Sequence, residues 1–97
     1  MRVTYRYFRR SWDESRDDEF AAWGPATYYF ETDDALVPSR QIEAYDGGQR
    51  LCYDDQHPED EYGFLSGWRI FPEGEDEGSF EITALEFEAE WSKGSQH

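Results

Sequence analysis

The stretch SRQIEAYDGGQRLCYDD, residues 39–55, decides the fold. Apolar residues alternate with polar ones on both sides of a central Asp-Gly-Gly at 46–48. Such period-two alternation is typical of β-strands. The glycines accept the positive φ that tight hairpin turns require. The sequence therefore predicts a β-hairpin with strands at about 40–45 and 49–54.

Strand patterns also flank this hairpin. RVTYRYFRRSW (2–12) alternates apolar and polar residues, and ATYYFET (26–32) and GWRIF (67–71) are rich in aromatic and β-branched residues. The connections between them are acidic and contain Gly and Pro, which oppose regular structure. One helical turn is expected in the first connection, around 18–23.

The last segment, EITALEFEAEW (81–91), fits two structures. Leu85, Phe87 and Trp91 alternate with glutamates as in a strand, but Ala, Leu and Glu favour a helix. Thr83 and Glu86 have the spacing of a capping box, in which their side chains satisfy the N–H groups at a helix start. We therefore predict a helix, with Ile82, Leu85 and Ala89 on one stripe and Phe87 and Trp91 beside it.

Together these elements predict an α+β domain: an antiparallel sheet of four to five strands with one C-terminal helix packed on a face. The 97 residues form one domain, 1–97. Residues 94–97, Gly-Ser-Gln-His, are either native or a cloning remnant, and the fold prediction leaves them out. The predicted core contains Tyr5, Tyr29, Ile42, Leu51, Ile70, Leu85 and Trp91.

Composition favours a folded, cytoplasmic protein. The net charge is −14, which is typical of disorder, but 19% of the residues are aromatic, which is not. No apolar run is long enough for a secretory signal or a membrane helix. The single Cys52 cannot form an internal disulfide, which suits a reducing compartment.

Three segments carry a family resemblance: YYFETD (28–33), SRQIEAYDGG (39–48) and EITALEFEAEW (81–91). They resemble a family of small acidic bacterial domains of uncharacterised function, of the kind encoded beside polymorphic toxins. The resemblance implies an immunity protein, and residues 54–79 depart from its pattern. The matched positions are Trp12, Tyr29, Glu31, Asp33, Arg40, Ile42, Glu43, Tyr45, Gly47, Glu81, Ile82, Ala84, Phe87 and Trp91.

Negative charge concentrates in the second half of the chain. Residues 54–90 contain 13 acidic residues and one basic residue, Arg69. Glu73, Glu75 and Glu77 have part of a calcium-loop spacing, but Ala84 stands where the loop needs a bidentate glutamate. The two histidines and one cysteine lack zinc-ligand spacing. We therefore expect no metal and no other cofactor.

Catalysis and nucleic-acid binding are also disfavoured. Cys52 and His57 are the one nucleophile–base candidate, but a strand cysteine is more often a packing residue. Arginines cluster at the N-terminus, at 2–10, but the acidic remainder of the chain repels a phosphate backbone. These arginines are expected to pair with the protein's own carboxylates. We predict that the protein is not an enzyme.

Two interpretations of the acidic segment remain, a solvated face and a surface for a cationic partner. Aromatic residues among the acids favour the partner surface. The predicted function is an immunity protein that occludes the basic active site or substrate groove of a nuclease- or deaminase-like toxin, as a monomer forming a 1:1 complex. The alternative is a small-molecule or peptide binding module with an aromatic cavity over the sheet. The predicted partner-binding residues are Asp54, Asp55, Glu59, Asp60, Glu61, Tyr62, Phe64, Trp68, Glu73, Glu75, Asp76 and Glu77.

Overall fold

The computed structural model describes residues 4–12, 21–71 and 74–95, and its centre is an antiparallel sheet. Within these residues the strands are β1 (Arg6–Trp12), β2 (Ala26–Thr32), β3 (Pro38–Tyr45), β4 (Arg50–Asp54) and β5 (Glu81–Ile82). They form one sheet in the order β4-β3-β2-β1-β5. A helix, α1, follows at Ala84–Ser95, and short 3-10 turns lie at Ala21–Trp23 and Glu77–Phe80. The predicted α+β architecture is confirmed. Residues 18–20 of the predicted helical turn lie outside the described residues.

The hairpin predicted from residues 39–55 is the β3–β4 pair. Its register places Ile42 opposite Cys52. The Tyr45 N–H donates to the Gln49 carbonyl at 2.9 Å and closes the turn. Gly48 has a φ of 98°, in the left-handed region where a side chain would be strained. The hairpin therefore turns at the predicted Asp-Gly-Gly, and Gly48 supplies the positive φ that the turn requires.

Both faces of the sheet are covered, although antiparallel sheets often leave one face to solvent. Successive strand residues point to opposite faces. The ring of Tyr7 contacts Phe87 of α1, with centroids 5.4 Å apart. The next residue, Phe8, contacts Phe71 of the long connection 55–80 at 5.0 Å. Helix and connection thus bury opposite faces, which explains why β2 carries three aromatic residues in succession at 28–30.

Helix α1 begins after Thr83, as predicted, but it packs on the sheet through a different face. Only half of the predicted capping box forms, because the Glu86 carboxylate accepts from the Thr83 hydroxyl at 3.3 Å and not from the Thr83 backbone N–H. The Thr83 hydroxyl oxygen accepts a hydrogen bond from the Glu86 N–H at 3.1 Å. Phe87 is fully buried, whereas Leu85 is 81% exposed. Two residues apart on a helix point about 200° apart, so only one of these two can face the sheet. The prediction that Leu85 belongs to the core was wrong.

Residues 67–71 were predicted as a strand, and this prediction was wrong. The Ile70 N–H donates to the carbonyl of Leu36, a loop residue, at 3.1 Å. Leu36 and Phe71 are both buried in one cluster with Phe8. Side-chain packing under the sheet, and not strand pairing, therefore holds this segment in place.

The remaining core predictions divide into three groups. Ile42 and Leu51 are buried, as predicted. Tyr5 is 45% exposed and lies before the first residue of β1, so its assignment to the core was wrong. Three further residues are half-buried: Tyr29, Ile70 and Trp91.

Candidate partner-binding surface

The carboxylates at 75–77 are compensated within the chain. Arg10 lies 2.8 Å from Glu75, and Arg6 lies 3.7 Å from Glu77 and 3.0 Å from Glu81. A hydrogen bond from Arg6, aided by its charge, holds the pKa of Glu81 below its usual range. The expectation that the N-terminal arginines pair with the protein's own acids is confirmed for Arg6 and Arg10. It is wrong for Arg9, which is exposed and forms no ion pair with a described residue, and Arg2 lies outside the described residues.

Asp76 and Glu73 also belong to the predicted surface. The Asp76 carboxylate accepts a hydrogen bond from the Ser79 hydroxyl within its own turn. Glu73 lies outside the described residues. Of the acids from 73 to 77, those that the structure describes are therefore engaged inside the protein, and they contribute less net charge to a partner than their number indicates.

Asp54 and Asp60 shape the connection that follows β4. The Asp54 Oδ1 atom accepts hydrogen bonds from the N–H groups of Gln56, at 3.0 Å, and His57, at 2.8 Å. Asp60 Oδ1 accepts from the Tyr53 hydroxyl at 2.9 Å and from the N–H groups of residues 62 and 63. These carboxylates act as turn-forming acceptors, as is common for Asp.

The turn that Asp60 holds carries exposed acids and an aromatic pair. Glu59 lies opposite Phe64 across a β-bridge. Glu59 and Glu61 are exposed, and neither has a hydrogen bond or ion pair with any residue that the structure describes. Phe64 is 54% exposed and Trp68 60%, and their rings meet edge to face at 5.9 Å. We call Glu59, Glu61, Phe64 and Trp68 the acidic aromatic tip.

Tyr62 lies beside this tip but has a different role. Its ring is half-buried and contacts Trp23, with centroids 5.4 Å apart. Both rings pack against the buried cluster that contains Tyr45 and Tyr53. Tyr62 therefore anchors the turn to the sheet.

Asp55 lies apart from the tip. It is exposed and lines a polar groove of about 330 Å³ together with Tyr5, Glu31 and Arg40. Arg40 contacts α1, so this groove opens toward the helix side of the sheet. Of the twelve predicted surface residues, the structure brings together four in the tip, and two more, Asp60 and Tyr62, support it.

A groove runs beneath Trp68 and was not predicted in this position. It has a volume of about 280 Å³ and is lined by apolar side chains that include Phe30, Ile70 and Phe71. Arg10 and Arg69 also line it, and the Arg69 Nε–H donates to the Phe71 carbonyl. We call it the Arg69 groove. The three successive aromatic residues at 28–30 were the available signal, because they place rings on both faces of β2.

Cys52, the candidate nucleophile, is a half-buried strand residue opposite Ile42. Burial raises the pKa of its thiol, which disfavours the reactive thiolate. Within the described ranges, no three side chains of His, Cys, Asp or Glu are grouped so that they could hold a metal ion. No helix among those residues is long and apolar enough to cross a membrane.

Comparison with known proteins returned no matching family model, no matching curated protein and no matching solved structure. The function is therefore argued from the sequence and from the geometry above.

Proposed function

We propose that this protein is an immunity protein, an inhibitor without chemistry of its own. It binds a secreted bacterial toxin and covers the toxin's basic active site or substrate groove. The observation that carries the proposal is the acidic aromatic tip. In it Glu59 lies opposite Phe64, Glu61 is exposed on the same turn, and the rings of Phe64 and Trp68 are exposed. Exposed rings supply affinity when a partner covers them, and surrounding charge steers the encounter.

The chemistry of the partner follows from the tip. A nuclease- or deaminase-like enzyme carries a basic cleft because its substrate is a polyanion. In the proposed complex the exposed carboxylates of this turn take the positions of phosphates in such a cleft. The family resemblance of residues 28–33, 39–48 and 81–91 supports the same class of protein.

The setting of the complex is part of the proposal. With a net charge of −14, copies of this protein repel one another and attract a positively charged protein, which favours a monomer that binds a cationic partner. We place the protein in the cytoplasm as a monomer that forms a 1:1 complex with the toxin. One tip on one chain accounts for that stoichiometry.

The test is co-expression with the toxin candidate encoded by the adjacent gene. Glu59→Lys and Glu61→Lys, singly and together, should abolish protection and slow association. Association of the wild type should slow as the salt concentration rises, because salt screens its attraction to the cationic toxin. Asp60 is left unchanged because it holds the turn. Asp34→Lys is the matched control, since Asp34 is exposed and lies in the β2–β3 loop. If the tip variants protect as well as Asp34→Lys, the acidic surface is only a solvated face.

The Arg69 groove favours a second candidate function, the binding of a small molecule. Its apolar lining and the guanidinium of Arg69 suit an anionic aromatic compound, whereas Arg10 already pairs with Glu75. Titration with 1-anilinonaphthalene-8-sulfonate tests this: the wild type should bind it saturably, and Trp68→Leu should weaken binding. Equal binding by both proteins would count against the groove.

A further inference from the structure

Glu43 is a buried carboxylate that has no cationic partner among the described residues. It lies on β3, on the face covered by the connection 55–80, and is 6% exposed. Its Oε1 atom accepts a hydrogen bond from the Tyr45 hydroxyl at 2.6 Å, and its Oε2 atom accepts from the Gln41 amide at 3.0 Å. Both donors are neutral, and Glu43 forms no ion pair with any residue that the structure describes. A buried charge left in this state is unfavourable unless something pairs with it.

Aromatic rings surround this carboxylate. Glu43 lines an open pocket of about 280 Å³, which we call the Glu43 pocket. The face of an aromatic ring carries negative potential and attracts cations, and a carboxylate adds full negative charge. The carboxylate and the aromatic part of the lining therefore favour a positively charged group, and Gln41, Gly63 and Ser66 complete the pocket. Its aromatic lining consists of Tyr28, Tyr45, Tyr62, Phe64 and Trp68.

The hydrogen bonding of Glu43 selects among cations. Each carboxylate oxygen can accept two hydrogen bonds, and each has one here. One acceptor position remains on each oxygen, which matches the two parallel N–H groups of a guanidinium. A quaternary ammonium has no hydrogen to donate, and a lysine ammonium cannot form the planar fork or stack flat on a ring.

Two described arginines line the neighbouring groove, and both are already engaged. Arg10 and Arg69 line the neighbouring Arg69 groove, which shares Tyr28, Ser66 and Trp68 with the Glu43 pocket. Arg10 pairs with Glu75, and Arg69 donates to the Phe71 carbonyl. Neither of them lines the Glu43 pocket.

We propose that the Glu43 pocket receives an arginine side chain of the partner protein. The guanidinium pairs with the Glu43 carboxylate and stacks on Trp68, while the acidic aromatic tip guides it in. Phe64 and Trp68 belong to both the tip and the pocket, so the partner's arginine sits at the centre of the interface. The identity of the partner rests on the proposed function, whereas the arginine preference of the pocket does not.

The test uses a small probe and no partner protein. Nα-acetyl-arginine amide is titrated into ¹⁵N-labelled protein, and the amides of Gly63 and Phe64 and the indole N–H of Trp68 are followed by NMR. We expect saturable shifts at these positions. Nα-acetyl-citrulline amide, which has the same shape without the charge, should give none, and Nα-acetyl-lysine amide should bind more weakly. Equal shifts with the citrulline and arginine probes would overturn the proposal.

Three variants locate the binding. Glu43→Gln should weaken arginine binding by roughly tenfold or more, because a charge-assisted pair is lost. Trp68→Leu should weaken it several-fold, and because Trp68 is exposed this variant carries the test if Glu43→Gln fails to fold. Asp55→Asn is the matched control, with the same charge change in another groove, and should bind within about twofold of wild type. Wild-type binding by folded Glu43→Gln, or by Trp68→Leu, would overturn the proposal.

The arginine-binding proposal and the immunity proposal can be overturned independently of each other. If Glu59→Lys loses protection and the wild type does not bind the arginine probe, the inhibitor proposal is supported and the proposal that the Glu43 pocket binds arginine is overturned. If the wild type binds the arginine probe and Glu59→Lys still protects, the arginine pocket is supported and the inhibitor proposal is overturned.

Discussion

Arg40 of β3 forms a bidentate ion pair with Glu88 of α1. Its Nη2 atom lies 2.6 Å from Glu88 Oε2, and its Nη1 atom lies 3.0 Å from Glu88 Oε1. The same guanidinium pairs with Glu31 of β2 at 2.6 Å. It also lies about 5 Å above the rings of Phe87 and Trp91. One side chain therefore joins two strands to the helix.

Replacing Arg40 should destabilise the fold. Arg40→Met leaves the Glu31 carboxylate largely buried without its cation, and we expect a loss of about 2–4 kcal/mol in the free energy of unfolding. Urea denaturation measures this. Arg9→Met is the control: Arg9 is an exposed arginine of the neighbouring strand β1, and its replacement should change stability by less than about 0.5 kcal/mol. Equal losses in the two variants would contradict the role of Arg40.

Stability should depend on pH through Glu31. Burial alone would raise the pKa of Glu31, but hydrogen bonds from Arg40 and Ser39 outweigh it and hold that pKa below its usual value. A depressed folded-state pKa stabilises the fold above the ordinary Glu pKa of about 4.3, and this contribution is lost as the pH falls through the folded-state pKa. The stability difference between wild type and Glu31→Gln should therefore be constant near neutrality and shrink in acid. Parallel curves from pH 7 to pH 3 would contradict this.

Phe87 and Leu85 should respond in opposite ways to truncation. Phe87 is fully buried against Tyr7, so Phe87→Ala should cost about 3–5 kcal/mol. Leu85→Ala should cost less than about 0.5 kcal/mol, because the side chain is exposed and Ala is the better helix former. Thermal and urea unfolding compare the two. A large loss of stability in Leu85→Ala would mean that α1 packs on the sheet through the stripe that contains Leu85.

Asp60 should matter for stability, and its neighbour Glu61 should not. Asp60→Ala removes the acceptor of three hydrogen bonds, one of them from the buried Tyr53, and should cost about 1–3 kcal/mol. Glu61→Ala removes an exposed acid and should be neutral for folding. Chemical denaturation gives the comparison. A neutral Asp60→Ala would show that the turn does not depend on this carboxylate.

Trp68 and Tyr62 should separate binding from folding. Trp68→Ala should weaken toxin binding by about 2 kcal/mol or more and leave the melting temperature unchanged, because its ring is exposed. Tyr62→Ala should lower both affinity and melting temperature, because its ring packs on Trp23. Calorimetry of each variant, alone and with toxin, measures both quantities. Intact affinity in Trp68→Ala would remove this ring from the interface.

Local chemistry was sufficient for several elements of the fold. The Asp-Gly-Gly turn, the alternation on either side of it and the Thr83–Glu86 capping box each act within a few residues, so the sequence predicts them directly. Strand β2 was predicted with its observed bounds for the same reason. The sequence also predicted that the acidic, Gly-containing connection after β4 is not a regular element, and its Glu59 and Glu61 are exposed.

Tertiary structure decided the rest, because packing chooses among faces that local pattern leaves equal. Leu85 and Phe87 both fit a helix stripe, and only docking beside Arg40 determines which one is buried. Residues 67–71 read as a strand, but their partner is the Leu36 carbonyl, a contact between segments more than thirty positions apart in sequence. Likewise, Glu43 is one of 23 acidic residues in the chain. It becomes distinctive only because the fold buries its carboxylate beside a pocket lined by aromatic rings, where no cation of the described residues pairs with it.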